Sequence, residues 1–312
     1  YYASKHAKGK YIIMGDCDDS YDFSKLSLFV EKLREGYDLV MGNRFKGGIA
    51  SGAMPWKNRY FGNPLLSFIC RFIFKVPAGD ILCGLRGFSE EAFHKFDLRT
   101  IGMEYGPEML IKAHLLDMKI SEVPTTLSKD GRGRLPHLKP WRDGWRNLRF
   151  MLLYSPRWLF WYPGWLAIII GLVMLIFLYQ GSLIIGDIAL DIHTMLYSSI
   201  AVIAGFQAIT IGIITRKLGY YLGLFPRGHN VKTFEKYFKL EYFLVFGIAF
   251  IFIGLISLVE AIISWKMAGF GELDPFVMMR NVIPTSLLFI IGIQSVLFSF
   301  TVGFLDLAVR KK

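Results

Sequence analysis

The stretch YIIMGDCDDSYDF, residues 11–23, decides the fold class of the first half of the chain. It begins with four strand-forming residues and then places four carboxylates within seven positions. These carboxylates are Asp16, Asp18, Asp19 and Asp22. Acids this close repel one another, so solvent or a bound cation must stabilise them. The stretch predicts a short strand that runs into an acidic turn.

The residues before this strand read as the end of a helix, YYASKHAKGK, with Gly9 as its stop. A helix that feeds a short apolar strand is the second part of a βαβ unit, which predicts a Rossmann-like α/β domain. The sequence has no initiator Met and no signal peptide. We therefore expect a fragment that is incomplete at its N-terminus and lacks the first strand.

Composition separates the chain into two halves. Of its 312 residues 53% are hydrophobic, which is too many for an ordinary soluble domain, and the excess lies beyond Trp158. Three widely spaced cysteines, Cys17, Cys70 and Cys83, indicate a reduced, cytoplasm-facing compartment. The net charge of +11 predicts an anionic partner, which could be nucleic acid, phospholipid or a phosphorylated substrate.

Four apolar runs in the second half are each long enough to cross a bilayer core of ~30 Å, which takes about 20 helical residues. Four such runs in succession exclude the buried helices of a large soluble protein. We predict an all-α membrane domain. Its transmembrane helices are expected at about 158–179, 195–215, 242–259 and 282–305.

Loop charges predict the orientation of these spans. The first connecting loop contains Asp187 and Asp191 and no Lys or Arg, whereas the second loop and the chain end are basic. Both termini are therefore expected in the cytosol, in a multi-pass protein of the cytoplasmic (inner) membrane. Because the positive charge follows the membrane boundary, no nucleic-acid partner is expected. The basic residues are Arg216, Lys217, Arg227, Lys232, Lys236 and Lys239 in the loop, and Arg310, Lys311 and Lys312 at the end.

A basic segment, residues 129–157, connects the two halves and separates the predicted domains 1–128 and 158–312. As a helix it would have an apolar face beside a basic face, which is typical of a helix that lies on a membrane surface. The apolar face comprises Trp141, Trp145, Leu148 and Leu152, and the basic face Arg142, Arg146 and Arg149. Arg132 and Arg134 add further charge.

Two rival interpretations of the acidic turn fail on spacing or context. An EF-hand loop that starts at Asp16 would need Gly at position 6 and Glu at position 12, where the chain has Tyr21 and Ser27. Residues 18–22 also spell DDxxD, the magnesium motif of prenyl-diphosphate enzymes. That chemistry belongs to all-helical bundles, whereas this motif follows a strand.

A third interpretation makes Asp22 or Ser24 the N-cap of a helix over Lys25–Glu35. It leaves Asp16 and Asp18 unexplained. These two carboxylates form a D-x-D pair just past a strand, where open α/β sheets bind ligands. Such a pair suits Mg²⁺ or Mn²⁺, and a cation of this kind stabilises a departing nucleoside diphosphate.

Four segments together resemble the polyprenyl-phosphate glycosyltransferases of the dolichol-phosphate-mannose synthase type, which are family 2 enzymes of GT-A fold. GDCDDSYDF is similar to the family's DxD segment, and YDLVMGNRF and ILCGLRGFSEEAF to its next two motifs. The fourth segment, DGRGRLPHLKPWRDGWRNLRFMLLYSPRW, resembles the juxtamembrane region of a four-span bacterial and archaeal subgroup. The family's nucleobase-binding segment has no counterpart here.

The resemblance implies a membrane glycosyltransferase that moves one sugar from a UDP- or GDP-linked nucleotide sugar to a polyprenyl phosphate, undecaprenyl or dolichyl. It implies inversion at the sugar carbon and dependence on Mg²⁺ or Mn²⁺. Because a phosphomonoester is already anionic at pH 7, with a second pKa near ~6, no general base is required. Glu104 and Glu108 are accordingly expected to be structural or to contact the acceptor.

The resemblance also assigns individual residues. Asp16 would orient the donor, Asp18 would ligate the metal, and Arg44 would face the phosphates. Ser20 stands where relatives often have a metal-binding Gln. Arginine forks suit phosphate oxygens. The residues assigned to the acceptor phosphate are Arg59, Asn63, Asp80 and Arg86.

Two other functions stay open at this stage. Tyr154, Arg157 and Trp158 read Y-x-x-R-W, close to the Q-x-x-R-W motif of processive polysaccharide synthases, although the Gln is absent. A non-catalytic membrane scaffold or transporter is the second alternative, and Gln207 and Gln294 would be its polar residues within spans. Four spans per protomer are also compatible with a homo-oligomer.

Overall fold

A computed structural model describes residues 6–100, 102–131, 139–225 and 239–309 of the chain. The chain forms two compact units, Tyr1–Ser155 and Pro156–Lys312. Several basic residues of the sequence analysis lie outside the described residues. They are Arg132, Arg134, Arg227, Lys232, Lys236, Arg310, Lys311 and Lys312.

The first unit is a mixed α/β domain, as expected, in which short strands alternate with helices. Its strands are β1 (Tyr11–Met14), β2 (Leu39–Asn43), β3 (Arg86–Ser89) and β4 (Ile120–Pro124). Its helices are α1 (Leu26–Arg34), α2 (Arg44–Gly47), α3 (Asn63–Phe74), α4 (Glu90–Phe96), α5 (Tyr105–Leu115) and α6 (Pro140–Leu153).

The four strands form one sheet in the order β1-β3-β2-β4. β3 runs antiparallel to β1 and β2, and β4 runs parallel to β2, so β1, β2 and β4 point the same way. The carboxyl ends of these three strands and the amino end of β3 therefore share one edge of the sheet. The antiparallel β3 between β1 and β2 was not expected from the sequence.

Both faces of the sheet are covered. Within β2, Leu39 and Met41 pack into one hydrophobic cluster and Val40 into another, because successive side chains point to opposite faces. Phe88 of β3 belongs to the first cluster, and Phe29 of α1 to the second. All five residues of β2 are buried, as in a central strand of an α/β sheet.

The acidic turn leads into α1 through a capped 3₁₀ turn, Phe23–Lys25. The Asp22 carboxylate accepts a hydrogen bond from the backbone N–H of Ser24, with an N···O distance of 3.0 Å. Of the two predicted caps, Asp22 is the one that the structure shows. The helix occupies Leu26–Arg34, one residue shorter at each end than predicted.

The second unit contains four helices that are long and apolar enough to cross a membrane, which confirms the predicted number of spans. They pack as two hairpins joined by contacts between α8 and α10. A two-stranded hairpin, β5 (Leu183–Ile185) and β6 (Ile188–Leu190), lies between the first two helices. The helices are α7 (Tyr162–Gln180), α8 (Ile192–Tyr221), α9 (Leu240–Met267) and α10 (Pro275–Val309).

Ion pairs join α8 and α10 at both ends. Arg280 contacts Asp191, the residue before α8, with an N···O distance of 2.8 Å, and Lys217 pairs with Asp306. These contacts make the two helices parallel to each other. Helices α8, α9 and α10 extend beyond their predicted apolar runs at both ends, because helical backbone continues into the flanking polar residues. Helix α7 follows a separate π-helical turn, Arg157–Trp161, at the predicted start of its run.

Candidate active site

The sheet topology gathers most of the predicted site residues at one edge. Asp16 and Asp18 follow the carboxyl end of β1, and Arg44 follows that of β2. Asp80 lies in the loop that enters β3, and Arg86 is the first residue of β3. This is the edge at which open α/β sheets bind ligands.

The two carboxylates of the D-x-D pair in the acidic turn differ in their exposure to solvent. Asp16 is exposed and Asp18 half-buried, while Ser20 is buried. Asp18 Oδ1 accepts hydrogen bonds from the Ser20 backbone N–H at 3.2 Å and from its hydroxyl at 2.6 Å. The Asp16 carboxylate lies against Gly84, where a Cβ would collide with it. Because glycine has no Cβ, the Asp16 carboxylate can lie against residue 84.

The chain after β4 returns to the acidic turn, which the sequence did not indicate. The backbone N–H of Ser128 donates to the Ser20 carbonyl at 2.8 Å, and that of Gly131 to the Asp18 carbonyl at 3.0 Å. The start of the predicted juxtamembrane segment therefore contacts the D-x-D turn directly.

Arg44 and Asp80 form a buried, two-pronged ion pair. Arg44 Nε donates to Asp80 Oδ2 at 2.7 Å and Nη2 to Oδ1 at 2.8 Å, and the Arg44 backbone N–H adds a third bond. Asp80 is 0% exposed and Arg44 8%. Burial acts to lower the pKa of Arg44, but the Asp80 carboxylate outweighs it and the pKa is raised. The predicted contacts of these two side chains with substrate phosphates stay predictions.

Arg86 is directed into the protein. Its guanidinium donates to the carbonyls of Cys83 at 2.9 Å, Ile81 at 2.8 Å and Gly106. The side chain is buried, and burial lowers its pKa. Arg86 thereby shapes the loop between Asp80 and β3, and its predicted acceptor contact stays a prediction.

Glu122, in the middle of β4, supports the same loop and was missed by the sequence analysis. Its carboxylate accepts hydrogen bonds from the backbone N–H groups of Gly79 and Asp80 and from the side chains of Asn43 and Lys46. Burial acts to raise the pKa of Glu122, but Lys46 and the other donors outweigh it and lower the pKa. The sequence offered one signal for this role, which is a single acidic residue within the strand ISEVP.

Tyr21 is a second missed residue. It is buried, its hydroxyl accepts the Gly84 backbone N–H at 2.9 Å, and its backbone pairs with that of Leu127. Burial raises the pKa of the phenol, and the field of Asp16 raises it further. Tyr21 thus fixes the acidic turn against the loop that enters β3.

Arg59 and Asn63 lie in a different part of the unit, on the helical turn Asn58–Gly62 and at the start of α3. The Arg59 guanidinium lies 5.5 Å from the centre of the Tyr60 ring, and Asn63 Nδ2 contacts the Met54 sulfur at 3.3 Å. Within the described ranges no carboxylate pairs with Arg59. Their role at an acceptor phosphate stays a prediction.

The basic segment forms a helix, α6, as predicted, and its place on a membrane surface stays a prediction. Trp141 and Trp145 are 80% and 58% exposed, and Arg142 and Arg149 are exposed as well. Leu148 packs against the domain core, so the apolar face is narrower than the helical repeat suggested. The core takes Leu148 because α6 belongs to the first unit and buries one side against it.

Glu104, which precedes α5, and Glu108, within α5, are both occupied by contacts within the domain. Arg146 forks onto Glu104 with two N···O distances of 2.9 Å. Glu108 is 0% exposed, pairs with Lys112 at 2.9 Å and accepts the Tyr154 hydroxyl at 3.1 Å. Burial acts to raise the pKa of Glu108, but the bonds from Lys112 and Thr100 lower it.

Asp16 and Asp18 fit the donor set of a hard divalent cation. Across residues 6–100, 102–131, 139–225 and 239–309, no group of three or more His, Cys, Asp or Glu side chains is placed to hold a metal. Mg²⁺ commonly takes one or two carboxylates and completes its shell with water and substrate phosphates. Two carboxylates at a ligand-binding edge therefore suffice.

Two family descriptions match different parts of the chain. Residues 1–96 match glycosyl transferase family 2, and residues 213–306 match the family 2 C-terminal transmembrane region. The first match contains the acidic turn, the Arg44–Asp80 pair and β3. The second covers the end of α8, all of α9 and most of α10.

Similar proteins are found in Haloferax volcanii. The low-salt glycan biosynthesis hexosyltransferase Agl6 is 31% identical over 307 residues, which cover 97% of this chain and 72% of that protein. Glycosyltransferase AglJ is 34% identical over 149 residues, 48% of each chain. A dolichyl-phosphate hexose transferase is 30% identical over 113 residues, 36% of this chain and 48% of that protein.

The domain order, the acidic turn at the sheet edge and a relative matched over nearly the whole chain lead to one assignment. The expected mixed α/β domain followed by four membrane-capable helices is confirmed. This chain belongs to the family 2 glycosyltransferases and is a membrane enzyme with the family's C-terminal transmembrane region.

Proposed function

We propose that this glycosyltransferase moves one sugar from a UDP- or GDP-linked donor to a polyprenyl phosphate, with inversion, at the cytosolic face of the cytoplasmic membrane. The observation that carries the proposal is the D-x-D turn, with Asp16 exposed and Asp18 half-buried, at the carboxyl edge of the sheet in a chain with four membrane-capable helices. The name of the dolichyl-phosphate hexose transferase relative supports a polyprenyl phosphate acceptor.

Asp16 and Asp18 are the residues that would hold the divalent metal that family 2 enzymes generally use. The metal, Mg²⁺ or Mn²⁺, would neutralise the diphosphate of the donor. Asp16 keeps its carboxylate in the open because Gly84 leaves room for it. Ser20 holds the side chain of Asp18 in place through its two hydrogen bonds.

The buried Arg44–Asp80 pair acts on the loop beside the acidic turn. Arg44 continues from β2 and Asp80 from the segment before β3, so their bidentate contact fixes the distance between two strand ends. Catalysis would then consist of positioning and electrostatic stabilisation.

The acceptor phosphate needs a cation and no base. Arg59 has no carboxylate partner in the described part of the chain and can offer its guanidinium fork to a phosphate. The carboxylate oxygens of Glu104 and Glu108 accept hydrogen bonds from other residues of the domain, which makes both residues unsuitable as a general base. Attack by an acceptor that is already anionic fits this arrangement.

The test uses the full-length protein in membrane vesicles with undecaprenyl or dolichyl phosphate, Mg²⁺ or Mn²⁺ and a panel of labelled nucleotide sugars. We expect acid-labile label in the organic extract, lost on chelation and reduced about 10²- to 10³-fold in Asp18→Asn. Asp117→Asn, an exposed carboxylate after α5, is the matched control and keeps full activity. Label in a long water-soluble polymer would instead support a processive synthase.

A further inference from the structure

A pocket of the first unit lies outside the proposed chemistry. It has a volume of about 280 Å³ and opens between α6 and the chain just before α5. Its described lining contains three arginines, Arg99, Arg146 and Arg149, and a single carboxylate, Glu104. We call it the arginine pocket. The net positive charge of this lining favours an anionic ligand.

The side of the pocket that contains Arg99 is held by a buried carboxylate. The backbone N–H groups of Arg99 and Thr100 donate to Glu108, with N···O distances of 3.1 and 2.8 Å. Arg99 pairs with Asp97 at 2.9 Å, but 43% of its side chain is exposed. The backbone at this position is therefore anchored, while the guanidinium stays accessible to a ligand.

Arg146 forms the opposite side, on α6. Its Nε and Nη2 atoms each donate to Glu104 at 2.9 Å, and a Cβ at residue 102 would collide with both partners. Gly102 therefore leaves room for this two-pronged contact. Because a guanidinium has more N–H donors than the contact uses, Arg146 keeps donors for a second anion.

Arg149 adds a positive charge that no carboxylate of the described residues pairs with. It is exposed and lies three positions after Arg146 on the same helix. Burial acts to raise the pKa of Glu104, but the hydrogen bond from Arg146 and the field of Arg149 lower it. Arg149 therefore lies close enough to act on a charged group in the pocket.

The size and the apolar part of the lining restrict the ligand further. Pockets for drug-sized molecules have volumes of roughly 300–1,000 Å³, so this one suits a small chemical group. Phe150 is a buried part of the wall, and Leu153 is an exposed apolar residue beside it. Guanidinium forks match the oxygens of phosphate, and the apolar residues suit a substituent attached to it.

From these observations we propose that the arginine pocket binds a phosphate group, as free phosphate or a phosphate ester or as the headgroup of a phospholipid. Arg99 and Arg149 donate to its oxygens, and Arg146 adds a donor while it keeps its contact with Glu104. Leu153 contacts the substituent where there is one. Binding here requires neither the metal nor the sugar donor, so the inference does not rest on the proposed function.

The test measures how fast individual arginines react with p-hydroxyphenylglyoxal in the full chain, solubilised in a neutral detergent. Peptide mass spectrometry reports the modification of each residue. Inorganic phosphate is compared with chloride at equal ionic strength, and mixed micelles that contain short-chain phosphatidic acid are compared with the detergent alone. The internal control is Arg142, which lies on the same helix with its side chain 58% exposed and is outside the pocket lining.

We expect phosphate or phosphatidic acid to slow the modification of Arg99 and Arg149 several-fold and to leave that of Arg142 unchanged. Protection by inorganic phosphate would support a site for free phosphate groups. Protection by phosphatidic acid alone would support a site for a lipid headgroup. Absence of protection by either ligand, or equal slowing at Arg142, would overturn the proposal.

A pair of variants tests whether the three arginines act together. Arg149→Gln changes an exposed side chain, so the fold is expected to be kept, but the protection of Arg99 by the ligand should be lost. Arg142→Gln makes the same change in net charge and should keep that protection. Unchanged protection of Arg99 in Arg149→Gln would contradict a shared site. Because the readout is protection and not turnover, failure here is separate from failure of the proposed transferase reaction.

Discussion

Two sets of carboxylates lie at the same edge of the sheet and differ in what surrounds them. Asp80 is completely buried, and both of its oxygens accept hydrogen bonds from Arg44. Glu122 accepts hydrogen bonds from two backbone N–H groups of the loop before β3. Asp16 and Asp18, by contrast, are exposed and half-buried.

The difference distinguishes carboxylates that stabilise the fold from carboxylates that can bind a ligand. A carboxylate whose lone pairs are all taken by buried protein donors has no capacity for a ligand, and its removal leaves donors unsatisfied. A carboxylate at the surface of the same edge can exchange solvent for a cation and a diphosphate. We therefore expect Asp80 and Glu122 to determine the stability of the first unit, and Asp16 and Asp18 to determine turnover.

The largest expected effect on stability is that of Asp80→Asn. Removing one partner of a buried ion pair leaves Arg44 as an uncompensated charge and costs about 3–5 kcal/mol. Amide hydrogen exchange of β2 and β3 in the full chain would report the loss as faster exchange of the most protected amides. Asp18→Asn is the counterpart and should change this free energy by less than about 0.5 kcal/mol. Equal losses in the two variants would contradict the division.

A smaller effect is expected for Glu122→Gln. The amide can still accept hydrogen bonds but loses the charge that strengthens those from Gly79 and Asp80, at a cost of about 1–3 kcal/mol. Lys46→Ala is the control, because the Lys46 side chain is 60% exposed and a surface ion pair contributes about 0.5 kcal/mol or less. A loss in Lys46→Ala as large as that in Glu122→Gln would show that the ion pair, and not the support of the loop, is what counts.

The pH dependence of stability provides a further test of the contrast between carboxylates that stabilise the fold and those at the D-x-D turn. The pKa of Glu122 is lowered in the folded domain, because its hydrogen bonds outweigh the opposing effect of burial. Its contribution is therefore complete above the ordinary pKa of 4.5 and is lost as pH falls through the lower folded value. Each bound proton contributes up to about 1.4 kcal/mol per pH unit.

We expect the unfolding free energy of the first unit to fall below about pH 4.5, with a shallower slope in Glu122→Gln than in the parent chain. Hydrogen exchange over short labelling times at several pH values, corrected for intrinsic rates, would measure the two slopes. Identical slopes would mean that Glu122 keeps its ordinary pKa in the folded protein. Glu108, whose pKa is lowered in the same direction, accounts for part of the slope that remains.

Much of the architecture could be predicted because it depends on local pattern. The strand Tyr11–Met14, the cap at Asp22 and the four spans all follow from periodicity, turn chemistry and length. The acidic turn was identifiable because four acids in seven positions are conspicuous in any sequence. The last three spans were predicted too short because polar residues continue a helix as well as apolar ones do.

The pairing of side chains could not be predicted in this way. Arg44 and Asp80 are 36 residues apart, and their contact depends on the antiparallel β3, which no local pattern revealed. Three residues predicted to face the substrate phosphates, Arg44, Asp80 and Arg86, also make bonds within the protein that the sequence did not indicate. Motifs give the residue types that a site requires, but long-range topology determines which of them contact each other.

The cysteine thiols differ in burial in the same way as the carboxylates. Modifying the exposed thiol is expected to have the smallest effect on stability. Cys17 is exposed between Asp16 and Asp18, while Cys70 and Cys83 are buried. Burial raises the pKa of Cys70 from its ordinary 9.0 to about 12, which lowers its thiolate fraction roughly 1000-fold. N-ethylmaleimide should therefore modify Cys17 alone in the folded chain and leave hydrogen exchange of β2 and β3 unchanged.

Peptide mass spectrometry would identify the modified thiol and follow the rate of the reaction. If the D-x-D turn is where a cation and a diphosphate bind, Mn²⁺ with a nucleoside diphosphate should slow alkylation of Cys17 several-fold, since the ligand would cover the turn. The same addition should not slow it in Asp18→Asn. Protection that persists in this variant would place the ligand elsewhere on the edge, because Cys17 would then be shielded without the carboxylate proposed to hold the metal.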